Sequence, residues 1–178
     1  NGVEVRHQLA GVGGNLQDHL QIRTIFKTQG VTSLNSFANT LIGKARIALE
    51  YALFRSGPMS MAPSQLGAFV KSDKAMETPD LQYHVQPLSL GKFGEPLHPF
   101  PAFTASVCNL RPESRGVVEL SSPDPLAKPR IAPLYLSAER DKLVAANSIR
   151  LTRHIIAQEP IRSHIIEEFL PGAQFQSD

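Results

Sequence analysis

The chain has 178 residues, 42% of them apolar and 19% charged, with 18 basic against 16 acidic side chains and a net charge of +2. That length and balance suit one domain with a real core, and they exclude a disordered charged tail and a charge-driven nucleic-acid binder. No apolar run approaches the ~20 residues of a spanning helix, and the single cysteine, Cys108, excludes an internal disulfide and favours a reducing, cytoplasmic setting.

The first residues, Asn1-Gly2, carry neither an initiator Met nor a leader pattern, so the chain reads as starting within a longer protein. Val3-Glu4-Val5 is expected to be a short extended piece, followed by the glycine-rich turn Gly11-Val12-Gly13-Gly14. Leu20 to Thr28, with Ile22, Thr24, Ile25 and Phe26, has strand composition. Over residues 35–55 the spacing of Phe37, Leu41, Ala45, Ala48 and Ala52, flanked by Ile42, Leu49 and Leu53, predicts a helix. Asn35 is its candidate N-cap and Gly57-Pro58 its stop.

Strand-like runs follow at Gln65 to Lys71, Leu81 to Leu88, Ala102 to Leu110 and Gly116 to Leu120. Prolines at 58, 63, 96–101 and 112–133 mark the loops between short elements. Residues 137–158 predict a second long helix capped by Ser137, with Glu139 in its first turn and Val144, Ser148, Leu151 and Ile155 along one face. A last short helix is expected over Ile161 to Phe169. Grouped strands with helices before and after indicate an α+β fold, and their short connections indicate a mainly antiparallel sheet of five or six strands.

No complete catalytic set emerges from spacing. Gly11-Val12-Gly13-Gly14-Asn15-Leu16 ends in Leu where a dinucleotide fingerprint needs glycine, so a turn between two elements is the preferred reading. The six histidines include no pair at metal-ligand spacing, so no metal is expected. Cys108 lies in an apolar run, as a small buried hydrophobe does; a thiol enzyme is the weakest of the competing readings. His84 alternates with Tyr83 and Val85 and so faces away from the apolar side, either lining a pocket or meeting solvent. Arg111-Pro112-Glu113-Ser114-Arg115-Gly116 is a tight turn that either pairs its own charges or contacts an anion.

Read as wholes, two stretches resemble the glucose–methanol–choline (GMC) flavin oxidoreductases. Gly11-Val12-Gly13-Gly14-Asn15-Leu16-Gln17-Asp18-His19 resembles that family's "PGVGxNLxDH" segment, with Ala10 in place of its proline. Arg111 to Leu120, continuing through Ser122-Pro123-Asp124-Pro125 to Tyr135-Leu136-Ser137, is similar to "RPxSRGxVxLxSxDPxxxPxIxPxYL". Between them, Pro79-Asp80-Leu81-Gln82-Tyr83-His84 resembles the "PDLQYHF" strand of choline- and alcohol-dehydrogenase-like members.

The resemblance implies a parent enzyme that uses FAD to oxidise a CH–OH group of a small alcohol. It implies that residues 20–178 form the substrate-binding domain and residues 1–19 adjoin the FAD domain. The family's FAD fingerprint and its "HPxGTxxMG" region match nothing here. The chain is therefore expected to contain no catalytic residue, to be inactive alone, and to depend on the rest of the flavoenzyme. The family sheet has helices on one side and roofs the substrate cavity with the other.

Asn15, Asp18 and His19 match a cofactor-proximal segment. Gln65 and His84 are the substrate-binding candidates. Choline-oxidising relatives place a Glu where Gln65 stands, and a neutral amide holds a quaternary cation less strongly than a carboxylate does. A neutral primary or aromatic alcohol is thus the expected substrate class. Self-association through the flavin-facing surface is expected. The alternative reading is a stand-alone binding module without catalysis.

Overall fold

The computed structural model describes residues 4–177. Val3 of the expected extended piece lies outside them, and Glu4 and Val5 join no strand. Five strands form one antiparallel sheet in the order β2-β3-β4-β1-β7. They are β1 (Gln21–Thr28), β2 (Leu66–Val70), β3 (Leu81–Gln86), β4 (Ala102–Asn109) and β7 (Ile165–Leu170). A separate ribbon pairs β5 (Val117–Glu119) with β6 (Arg130–Ala132). The expected α+β architecture is present.

Alternation gives the sheet two unlike faces. Register sets Ile22 against Val107, Thr24 against Ala105 and Phe26 against Phe103, and Tyr83 against Val107. These side chains share one face, which α3 (Glu139–Ile156) covers. Leu81, Tyr83, Val107 and Val144 form one buried cluster; Phe26, Ala105 and Ile156 form a second. Each fully buried side chain of this size contributes about 1.5–3 kcal/mol.

The buried line of α3 runs Asp141, Val144, Ser148, Thr152, Ile156, one position off the expected Val144–Ser148–Leu151–Ile155 line at its C-terminal end. The polar members are satisfied: Tyr83 OH and Thr152 Oγ1 bond at 2.8 Å, and Thr152 Oγ1 donates to the Ser148 carbonyl at 2.7 Å. Polar residues on a buried helical face weaken its apolar signal, which is why the sequence period points elsewhere.

Four local expectations need correction. The helix expected over 35–55 is two helices, α1 (Leu34–Ala38) and α2 (Leu41–Phe54). Thr40 caps α2 by accepting the Gly43 N–H at 3.0 Å, and Asn35, not a cap, is buried inside α1. Ser137 does not cap α3; the cap position is Ala138, whose N–H donates to Ser114 Oγ at 3.1 Å. Ile161 to Phe169 is not a helix: a 3-10 turn at Ile161–His164 leads into β7. Glu167 and Glu168 favour helix locally, but the open edge of β1 takes the segment as a strand through two register shifts, a tertiary preference that overrides propensity.

Candidate functional site

The two glycine- and proline-rich stretches, distant in sequence, meet at one end of the sheet. Leu16 and Gly116 exchange backbone hydrogen bonds at 2.9 and 2.8 Å, and the Val118 N–H donates to the Gly13 carbonyl at 2.7 Å. Gly13 has φ +79°, and a Cβ there would strike the Val118 carbonyl. A side chain at Gly116 would meet the Pro133 backbone, with Cα at 2.6 Å. Both glycines permit backbone contact that a larger residue would block.

Side chains lock the same junction. Gln17 Nε2 donates to the Pro112 carbonyl at 3.3 Å, and a His19 ring nitrogen bonds the Leu110 carbonyl at 3.2 Å. The Tyr135 hydroxyl donates to Asp18. That bond, then burial and the Asp18 charge, raise the Tyr135 pKa above its ordinary value. Asn15 is exposed with φ +57° and takes no part in these bonds. Arg115 is exposed but folds back on its own turn, donating to the Pro112 and Ser114 carbonyls at 2.7 and 3.0 Å, so its side chain braces the turn.

Behind the junction, Asp141 at the start of α3 accepts from the Glu113 N–H at 3.0 Å, the Ser114 N–H at 2.8 Å and Asn109 Nδ2 at 3.2 Å. Burial pushes its carboxyl upward, but the bonds from Ser114 and Glu113 and the nearby Arg115 charge outweigh that and hold it below the usual range. Asp18, Tyr135, Ser114 and Asp141 line a narrow gap of about 20 Å3, the room of one water.

The sheet face opposite α3 sets a group of polar side chains between Phe69 and Ile25. A row runs across four strands as Gly67, His84, Ser106, Arg23. Gln82 and Cys108 flank it on one side, Gln86 and Thr104 on the other. Arg23 donates to the Leu90 and Gly91 carbonyls at 3.1 and 3.2 Å. The loop carrying them is pinned by Asn35, which donates to the Ser89 and His98 carbonyls at 2.9 Å and accepts from the Ser89 N–H at 2.8 Å. His98 bonds Ser89 Oγ at 3.0 Å; burial, then the Arg23 charge, lower its pKa, opposed by Glu95. Burial raises the Cys108 thiol, against a weaker opposing bond to the Gln82 carbonyl, which disfavours a thiolate nucleophile.

Gln65 precedes β2 and is exposed; its N–H donates to the Val85 carbonyl at 3.0 Å and its amide contacts Met61 Sδ at 3.6 Å. His84 thus lies in β3 and Gln65 just before its neighbour β2, whereas Asn15, Asp18 and His19 gather at the β5 turn. No hydrogen bond joins the two groups among the described residues. Sequence reasoning passed over Asn35 as a cap and did not single out Asp141 or Tyr135. The available signal for Asp141 is a second acid beside Glu139 in the first turn of α3.

Comparisons with known proteins agree with this geometry. The family model described as GMC oxidoreductase matches residues 112–178. The chain is 36% identical to an oxygen-dependent choline dehydrogenase of Photobacterium profundum over 99% of its own length and 31% of that protein. The enzyme of the same name from Brucella ovis gives 36% over 100% and 32%. The chain thus spans about a third of the curated relatives it matches. Among solved structures, a formate oxidase superposes with TM-score 0.77 at 17% identity, covering 90% of this chain and 33% of that one. A fungal aryl-alcohol oxidase gives TM-score 0.74 at 18% identity, covering 97% and 36%. At those identities the structures bear on the fold.

Proposed function

This chain belongs to the GMC oxidoreductase family, and on that premise we propose that it forms the substrate-binding part of an FAD-dependent oxidoreductase acting on a CH–OH group. The division at residue 20 belongs to the proposal, with residues 1–19 adjoining the flavin-binding part. The observation that carries it is the contrast between the sheet faces. One is apolar and closed by α3; the other presents His84, Ser106 and Gln82 in register. His84 and Gln82 are half-buried rather than sealed, so a small hydroxylated substrate laid on this face would meet side chains able to hydrogen-bond its hydroxyl.

FAD supplies acceptance of hydride from the carbinol carbon. This chain would shape the cavity, exclude water and orient the hydroxyl, with His84 and Gln65 as the contacts. Asp18 and His19 are already engaged within the chain, so their part is to position the segment, and Asn15 is the candidate for direct cofactor contact. We assign no catalytic base among these residues. A neutral Gln65 favours a neutral primary or aromatic alcohol over a quaternary ammonium alcohol. Cytoplasmic location accords with a buried lone cysteine and with the absence of any helix, among the described residues, long and apolar enough to cross a membrane.

The test is anaerobic: the flavin-loaded enzyme carrying this segment is mixed with benzyl alcohol, hexanol or choline, and flavin absorbance is followed. Bleaching by a neutral alcohol at lower concentration than choline supports the reading. No bleaching by any alcohol would refute it and leave the binding-module alternative.

A further inference from the structure

We infer that Ser106 is a specificity-determining contact on the sheet face opposite α3: its hydroxyl and the His84 imidazole together grip the hydroxyl of an alcohol, and a molecule of the same shape without that group is held less tightly. The inference deepens the function proposed above and rests on it for the reaction that the grip serves.

Hydrogen bonding sorts the polar side chains of this face into two sets. Arg23 donates to the Leu90 and Gly91 carbonyls. Thr104 Oγ1 donates to the Leu88 carbonyl at 2.8 Å, Gln86 Nε2 to Ser64 Oγ at 3.4 Å, and Cys108 Sγ to the Gln82 carbonyl at 3.7 Å. The side chains of Gln82, His84 and Ser106 have no partner among the described residues. They are neighbours: Ser106 stands opposite His84 in the β3–β4 register, and Gln82 lies two residues along β3 on the same face. Directly opposed Cβ atoms of an antiparallel pair are about 5 Å apart, so one small oxygen can reach both Ser106 and His84. On the far side of His84 stands Gly67, which puts no side chain over the imidazole.

Burial makes Ser106 the informative member. It is 2% exposed, and a buried hydroxyl without a partner is costly. Thr28 Oγ1 is the one sealed side-chain nitrogen or oxygen in that condition among the described residues. Ser106 Oγ is unpartnered but not sealed, so the little accessible area of Ser106 includes this oxygen. The strand therefore buries the serine and leaves its hydroxyl open on the face it shares with His84. An alcohol has one hydrogen to donate and lone pairs with which to accept. Ser106 Oγ–H donates to the alcohol oxygen, and the unprotonated nitrogen of a neutral His84 accepts the alcohol hydrogen. A methyl group in the same place makes neither bond and leaves the serine unpaired.

The test separates binding from turnover. The flavin-loaded enzyme carrying this segment is kept reduced under nitrogen, so that no alcohol can pass hydride to it. Affinities for benzyl alcohol and ethylbenzene, equal in shape with a methyl in place of the hydroxyl, are measured by ligand-detected NMR. Benzyl alcohol is expected to bind more tightly. Ser106→Ala should weaken benzyl alcohol about fivefold, the value of one hydrogen bond, and leave ethylbenzene unchanged. An equal loss for both ligands would mean that the serine only shapes the face, and an unchanged benzyl alcohol affinity that its hydroxyl is not used; either overturns the inference. Equal affinity of the two ligands in the unaltered enzyme overturns it as well, and that result needs no variant to fold. Failure of the proposed function reads differently: benzyl alcohol then binds the reduced enzyme through Ser106 but does not bleach the oxidised one.

Discussion

Leu16 and Gly116 face each other across a two-bond backbone bridge, 2.9 Å one way and 2.8 Å the other. The bridge closes the glycine-rich segment onto the turn before β5. Because Gly116 also abuts the Pro133 backbone, the bridge holds three stretches of chain at once. Asn15, Asp18 and His19 ride on it.

Replacing Gly116 by Ala should therefore cost more than a surface glycine change. The added methyl meets backbone, which cannot swing aside as a side-chain tip can. The expected loss is about 2 kcal/mol or more, read as a lower urea midpoint at unchanged slope. A change below a few tenths would mean that the bridge relaxes freely.

Asp141→Asn should destabilise by about 2 kcal/mol, because a carboxylate accepting backbone N–H bonds becomes a poorer, uncharged acceptor. The folded-state pKa is depressed, which fixes the sign with pH. The contribution is complete above the unfolded-state carboxyl pKa and is lost as pH falls through the folded value. Urea midpoints of the two proteins measured from neutral to acid pH should thus converge on acidification. A gap that stays constant would show that charge plays no part.

Tyr83→Phe removes a buried hydroxyl from Thr152 and should cost about 1 kcal/mol. Burial raises the Tyr83 pKa, with the Thr152 bond opposing. A raised folded value means the contribution is full below the unfolded tyrosine pKa and lost as pH rises through the folded one. Alkaline denaturation should then begin at higher pH in Tyr83→Phe than in the unaltered protein, which differential scanning calorimetry can read.

Helix α2 leaves Leu41, Ile42, Leu49, Leu53 and Phe54 exposed, Leu41 at 85%. A contiguous apolar stripe of this kind invites association. Light scattering at rising concentration should show dimers or larger species for the chain by itself, and Leu49→Glu should shift them toward monomer without lowering thermal stability. If the unaltered chain stays monomeric at high concentration, the stripe is no self-association surface.

The amino-acid sequence by itself determined the class of fold. Alternation in Leu81 to Gln86 and the apolar run Ala102 to Asn109 identify strands because period-two patterning is a local property. The Pro- and Gly-rich turns identify antiparallel connection for the same reason. Motif wording sufficed to connect Gly11–His19 with Arg111–Ser137 as parts of one family pattern. That they touch, through Leu16 and Gly116, is a matter of packing between distant segments, which no local period encodes.

Tertiary structure alone decided the rest. Ile165 to Leu170 became a strand because β1 offered an edge. The buried line of α3 ran through Asp141, Ser148 and Thr152 because their polar atoms found partners in Tyr83, Ser114 and the backbone. Asn35 left the cap role for the loop at Ser89 and His98. Gln65 and His84 were separable from the Asn15–His19 junction only once strand order was fixed. In each case a hydrogen-bond partner or an open edge far along the chain outweighed local propensity, and three-dimensional proximity determined the outcome.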